Sequence, residues 1–455
     1  MGWLNSALIE FLRKVLEVRL TDRKFWNANS EAQLCIEDAI RAFTLNFGDP
    51  NIGISQAREA DPMAQMPDIL QAWILALTND SRNLKKASEI IEYVDEATLT
   101  DREGRNLMAL RLALAGQWPS AVDVLDRHLL EDPFDLAAHQ CALRLDGYLG
   151  RFAREASRAS RALPFWSKDD PGYGIMLSFF GFGLEEFGNF GRAEDVSREA
   201  AEIEPYGYWP HHAVSHVLEM TGRPDEGISW MNDRLPFWSD KKCNNRVHIY
   251  WHKALFHIEA GKFDQALKLY DNEILSLMKP VGTQLCNPTS LLWRLQTLGC
   301  DAGDRWEAQF EHWQQQLTGM VSPFNEIHGA IAALSADNRS AFDKILEGMK
   351  RSAANGGELA IAYRDCAIPI AEAMASFIKH DYVSACESLL GVMPQLSRMG
   401  GSIAQRDLIE WTALVAAIRA QNRSVALSLV NERLAVRPNS AVNNSFLERA
   451  QALTV

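Results

Sequence analysis

Six of the eleven histidines fall between His211 and His257. Their spacing is more informative than their number. In Trp209-Pro210-His211-His212-Ala-Val-Ser-His216-Val-Leu-Glu219, steps of four and three residues separate His212, His216 and Glu219. On a helix those offsets bring all three side chains onto one stripe. A second segment, His248-Ile-Tyr-Trp251-His252-Lys-Ala-Leu-Phe-His257-Ile-Glu259, repeats the four-residue histidine step and sets Glu259 seven residues beyond His252. His211 and His257 leave both stripes and are expected to be packed or partly exposed. Paired imidazoles at i and i+4 with a carboxylate nearby suit Zn, Fe or Mn, which accept nitrogen and oxygen donors. The same groups also suit acid/base work, because imidazole titrates near neutrality and a neighbouring glutamate orients it. The bland alternative is structural: each histidine hydrogen-bonds an adjacent helix, while Glu219 or Glu259 pairs with Arg223 or Lys262 near a helix end.

Such stripes must be held side by side, and the chain carries a repeated phrase that does this. A Gly or polar turn is followed by an aromatic or aliphatic residue, an Ala, a helical run and often a closing Pro. Clear copies are Gly116 to Ala121 leading to Pro133, Gly150 with Ala156, Gly188 to Ala193 leading to Pro205, and Gly261 to Ala266; weaker ones start near Asn83, Gly222, Asn338, His380 and Gln421. The spacing predicts an all-α chain of tetratricopeptide-like helical hairpins stacked into a right-handed superhelix, an α-solenoid forming a single domain. Residues 83–455 are assigned to the superhelix and residues 1–82 to a less regular helical portion packed on it. Met278 to Pro288, rich in Pro and Gly, reads as the longest internal connection, and Ala354 to Gly357 as a shorter break. First helices of successive hairpins line a concave groove, so the two histidine stripes face it together.

Composition narrows the function. With 47% hydrophobic and 23% charged residues the chain is too apolar for disorder. A net charge of −13 without a basic stripe argues against a nucleic-acid partner. Apolar runs such as Ile175 to Phe182 are too short for integral membrane association. Seven scattered cysteines with no Cys-x-x-Cys pair suggest a reducing, cytoplasmic setting. Met1-Gly2 with Ser6 matches a myristoylation pattern, but Trp3 and Leu4 also suit the start of an amphipathic helix. Phosphate-loop, dinucleotide-binding, serine-elbow and His-Glu-x-x-His motifs are missing from the sequence, so no nucleotide cofactor is expected. Gly400-Gly401-Ser402 reads as a turn whose serine caps the helix containing Gln405. A homo-oligomer is compatible with the sequence without being signalled by it.

Several phrases resemble the tetratricopeptide repeat protein 38 family over most of the chain: Phe182 to Glu186, Trp209 to Met220, His248 to Leu255, Leu269 to Asp271, Phe324 to His328, Arg364-Asp365 and Gly400 to Asp407. The resemblance implies the helical-repeat fold and lends no activity. Two departures stand out: Glu326 occupies a place where the family pattern has Asp, and the segment before Asn83 matches loosely. Outside the histidine stripes, the family-like residues are polar: Glu186, Glu326, His328, Arg364, Asp365, Gln405, Arg406 and Asp407. If the superhelix curls on itself, these later residues close over the groove, and Arg364 and Arg406 hold a carboxylate or phosphate with Asp365 and Asp407 behind them. Equally, the Arg and Asp residues pair as structural bridges between repeats.

Two functions follow. In the first, the groove acts on or binds a small polar molecule, with a hydrolase-type reaction if metal-dependent. His212, His216, His248 and His252 serve as metal ligands or acid/base groups, Glu186 and Glu219 as ligands or orienters, and Trp209, Trp251 and Glu259 as substrate contacts beside the later polar residues. The alternative is a non-catalytic scaffold that holds a peptide or protein partner in the groove. An open groove favours the scaffold; a narrow pocket at His212 and His252 favours the small molecule.

Overall fold

The computed structural model describes residues 25–279 and 281–454. The myristoylation pattern and Trp3 and Leu4 therefore lie outside the described residues. Among those residues the chain is all-helical, and the helices succeed one another as antiparallel hairpins of tetratricopeptide type. The inner helices around the site are α1 (Leu136–Tyr148), α2 (Tyr173–Glu186), α3 (Tyr208–Met220), α4 (Arg246–Glu259), α5 (Gly282–Thr297), α6 (Pro323–Ser335) and α7 (Ile403–Arg419).

From residue 101 onward the hairpins turn on a residue in the left-handed backbone region two positions after the inner helix. Gly188 after α2 (φ 84°) and Gly222 after α3 (φ 67°) are examples. Such a residue ends a helix by satisfying its last carbonyls, and glycine does so without a Cβ penalty. Asp337 (φ 52°), His380 (φ 64°) and Gln421 (φ 58°) do the same work in three of the weaker copies, which hides those repeats from a glycine-based reading. Past the turn, the alanine of the phrase sits where the two helices cross: Ala121, Ala193 and Ala266 are fully buried. The tightness of these crossings is visible at Gly181, where an added Cβ would lie 2.2 Å from Ser197 Oγ.

Two boundaries differ from the sequence reading. Helix α5 begins at Gly282 and carries Pro288 inside it, so Met278 to Pro288 is mostly helix rather than a long connection. Proline in a helix interior costs about 3 kcal/mol, and burial of Leu285, Leu291, Leu292 and Trp293 on the same helix opposes that cost. Before residue 83, where a less regular helical portion is expected, the described residues make the helices Ser30–Leu45, Pro50–Ala60 and Met66–Ala76 and the start of Ser81–Ile91.

The superhelix is wound tightly enough for successive turns to touch. Asn244 Nδ2 donates to Gly48 O at 2.8 Å across 196 residues, and Ile403 N–H donates to Glu186 Oε1 at 3.0 Å across 217. Gly401 N–H reaches Gly147 O at 2.9 Å. Helix α7 thereby lies against the concave side. Trp293 Nε1–H donates to Thr412 Oγ1 at 2.8 Å and Trp411 Nε1–H to Thr297 Oγ1 at 2.9 Å, pinning α7 to α5. Covered by outer helices on one side and by another turn on the other, α3 buries twelve of its thirteen residues. A helix apolar or buried all round belongs to an interior.

Candidate functional site

The two stripes meet as their spacing requires. His212 and His216 from α3 and His248 and His252 from α4 form one cluster, with ring centroids 4.4 Å apart for His212 and His216, 4.6 Å for His216 and His252, and 4.7 Å for His248 and His252. One ring nitrogen from each of the four lies within 4.8 Å of the other three, and His212 Nε2 is 3.0 Å from His248 Nε2. A tetrahedral ion with bonds of about 2.0–2.1 Å holds its nitrogens about 3.3 Å apart.

Outer partners orient two of these rings, and a carboxylate stands beside a third. His248 Nδ1 meets Asn287 Oδ1 at 2.7 Å, His252 Nδ1 meets Glu219 Oε2 at 2.9 Å, and Glu185 Oε2 stands 3.1 Å from His216 Nδ1, out of line for a hydrogen bond. Oxygen acceptors on Nδ1 fix the tautomer that leaves Nε2 as a lone-pair donor, the usual support of a metal-ligating histidine. Aromatic rings fill the remaining space: Tyr208 stacks on His212 at 4.8 Å and Trp251 on His248 at 5.0 Å.

Burial pushes the imidazoles of His212, His248 and His252 well below the ordinary histidine range, with the neighbouring imidazoles adding to the effect on His212. His216 is lowered by the same burial, against the pull of Glu186 and Glu219. Burial, followed by the nearby carboxylate of Glu219, drives Glu185 well upward, and Glu186 rises to about 7 through burial and Glu185. Buried polar groups in native proteins are nearly always hydrogen-bonded. Here Glu185 Oε1 and Oε2, His212 Nδ1, His216 Nδ1 and Nε2, and His252 Nε2 all lack a hydrogen-bond partner at one spot. Glu185, Glu186 and His216 also form a second grouping with ligand atoms within 4.8 Å.

Beside the cluster lies a cavity of about 100 Å³, into which His212 and His248 project. Six aromatic residues line it, Tyr148, Phe152, Phe182, Tyr208, Trp209 and Phe324, while Gly401, Ser402 and Gln405 at the start of α7 close one side. Ser402 and Gln405 make a reciprocal capping box at the start of α7.

The other sequence-derived candidates divide by position. Glu186, Glu219, Trp209, Trp251 and Gln405 touch the cluster or the cavity, as Arg406 does through Glu186 at 3.9 Å. Asp407 sits in a buried ionic knot with Arg433 (2.8 Å), Arg437 and Arg294 (3.6 Å), which ties α7 to its neighbours. Glu259 accepts from Val442 N–H at 3.3 Å, so the second stripe does not end in the cluster. His328 is turned back onto Phe324 O at 2.8 Å, and buried Glu326 lies beside Gly348 of the following helix. Arg364 and Asp365 pair with each other at 2.8 Å on the surface, with Arg364 60% exposed, and do not enter the groove. Adjacent residues on a helix point in different directions, and the π-helical turn Tyr363–Ala367 carries this pair outward. His211 is buried against Pro205 O at 2.7 Å, and His257 is half-buried.

Three residues that matter escaped the sequence reading. Glu185 was masked by its neighbour Glu186, Asn287 by the proline beside it, and Arg144 by lying outside every recognised phrase.

No family model matches the chain. Among solved structures it is similar to the human IFIT1 dimer with m7Gppp-AAAA, at 15% identity over 85% of this chain and 89% of that one, TM-score 0.41. It is also similar to the APC/C hetero-tetramer Cut9–Hcn1, at 11% identity over 92% and 88%, TM-score 0.32. Similarity of that degree assigns neither ligand nor activity.

Proposed function

We propose that this helical-repeat protein holds a transition-metal ion on His212, His216, His248 and His252, and uses it to bind and act on a small polar molecule admitted through the adjoining cavity. The observation that carries the reading is the coincidence of four convergent imidazoles with the concentration of buried, unpartnered ring nitrogens and carboxylate oxygens around them. A cation would satisfy those lone pairs together and reverse the penalty that burial places on Glu185 and Glu186. Imidazole-rich sets suit Zn and Fe, and the adjacent carboxylates extend the choice to Mn. Bound at the cavity wall, such an ion polarises a substrate oxygen or activates water for hydrolysis. The motif resemblance to the tetratricopeptide repeat protein 38 family belongs to this reading and adds no chemistry to it.

Elemental analysis of protein purified without chelator is the test. Near-stoichiometric Zn, Fe or Mn is expected in the wild type, with loss in His212→Ala/His252→Ala at unchanged helical circular dichroism. A metal-free wild type that also fails to take up added Zn, Fe or Mn would sink the proposal.

A second reading draws on the architecture, which suits a non-catalytic scaffold for a peptide or protein partner at least as well. It predicts co-purification of a stoichiometric partner that His212→Ala/His252→Ala retains. The metalloprotein reading predicts activity on, or retention of, a small molecule lost in that variant.

A further inference from the structure

The cavity beside the histidine cluster has an unusual charge. Although the chain carries a net charge of −13, the cavity wall contains a single Arg or Lys, Arg144, and no carboxylate. Arginines elsewhere in the interior are compensated: Arg158 faces Asp126, Asp146 and Glu155, and Arg294 and Arg433 face Asp407. Arg144 has no carboxylate partner among the described residues. One of its five N–H donors is given to Tyr148 Oη at 3.0 Å, and the Tyr148 hydroxyl passes its own proton to Leu77 O. Its remaining N–H groups have no hydrogen-bond partner among the described residues, and its side chain lines the cavity beside the Tyr148 ring, 5.5 Å from the ring centroid. His212 and His248, on the same wall, both feel its charge. A half-buried guanidinium without a counter-charge is a ready partner for an anion, which it engages through paired N–H···O contacts.

We infer that the molecule taken up here is a small monocarboxylate, its carboxylate held on Arg144 and its remaining atoms against the aromatic wall, facing His212 and His248. One guanidinium offsets one charge, which favours a monoanion over a phosphate dianion. The amides of Asn245 and Gln284 and the hydroxyl of Thr283, also on the wall, offer neutral hydrogen bonds to a polar substituent. An engineered apolar cavity of about 150 Å³ accepts benzene, so a space of about 100 Å³ limits the ligand to a short-chain acid. This substrate class rests on the proposed small-molecule reading, yet Arg144 recognises the anion whether or not the four histidines hold a metal.

The test exploits that independence. Propionate and its neutral isostere propionamide are titrated into the purified protein by ligand-observed NMR, first as isolated and then after chelator treatment. Propionate should bind both forms, with propionamide at least tenfold weaker. Arg144→Gln should lose tenfold or more in propionate affinity, and Arg144→Lys should recover part of it. Equal binding of acid and amide by the wild type, no binding of propionate, or an unchanged affinity in folded Arg144→Gln overturns the inference. The wild-type comparison needs no variant, so a misfolded Arg144→Gln leaves the inference open to refutation. Protein that is metal-free as isolated, takes up no added Zn, Fe or Mn and still prefers propionate refutes the metal centre alone, and a metal-loaded protein indifferent to propionate refutes the carboxylate alone.

Discussion

Asn287 shows how much of the site depends on side chains beyond the four histidines. Its Oδ1, 2.7 Å from His248 Nδ1, is the group that turns that ring's Nε2 toward His212. Loss of such outer partners typically costs 10–100-fold in metal affinity. Asn287→Ala is therefore expected to weaken metal binding about tenfold in a competition titration against a chelator, with thermal stability little changed. Glu326 offers a contrasting test away from the cluster. Burial pushes its carboxyl up to about 8, so between the ordinary carboxylate pKa and pH 8 the folded chain keeps a proton that the unfolded chain has released. Stability then falls as pH rises through that window, by up to about 1.4 kcal/mol per pH unit. Glu326→Gln removes this slope, and melting curves of variant and wild type should diverge progressively from pH 5 to 8 in favour of the variant. The histidine stripes were legible in the sequence because helical spacing alone sets which side chains share a face. Arg144 and Glu185 were not, since their importance lies in what fails to pair with them, and pairing across repeats is a tertiary fact.

At the level of elements, α7 is the piece that converts a groove into a pocket. Its start is fixed by the Ser402–Gln405 box, its second turn by the Asp407 knot and its middle by Trp411 and Thr412. Ser402→Ala should cost about 1 kcal/mol in chemical denaturation, the usual worth of an N-cap. Asp407→Ala leaves Arg294, Arg433 and Arg437 together in the interior, and removing one side of a buried ion pair costs about 3–5 kcal/mol. A loss under about 1 kcal/mol would show that the knot does not hold the helix. The hairpin phrase made the repeats readable at Gly116, Gly150, Gly188 and Gly261, where glycine ends the inner helix. It faded at Asp337, His380 and Gln421, exposed residues that take the left-handed backbone without being glycine. Pro288 misled for a related reason: local helix-breaking tendency was outweighed by burial along α5.

Across the whole molecule, the contact between turns rests on very small residues. At Gly150, with φ 66°, an added Cβ would lie 1.9 Å from Ser397 O, whereas at Gly188 it would meet nothing within 4 Å. Both positions impose the left-handed penalty of about 1–2 kcal/mol on alanine. Only Gly150→Ala also forces two turns apart. It should lower the melting temperature well beyond Gly188→Ala and, by loosening the α7 cap, weaken propionate retention that Gly188→Ala leaves intact.

The tight winding also orders events in time. Contacts between neighbouring hairpins close short loops and form early, while those spanning 196 or 217 residues pay a larger entropy and form late. The four imidazoles come from adjacent hairpins and α7 comes from the far end of the chain. During synthesis the donor set is therefore complete while its roof is still on the ribosome, which gives an ion an open approach that the finished fold then shuts behind it.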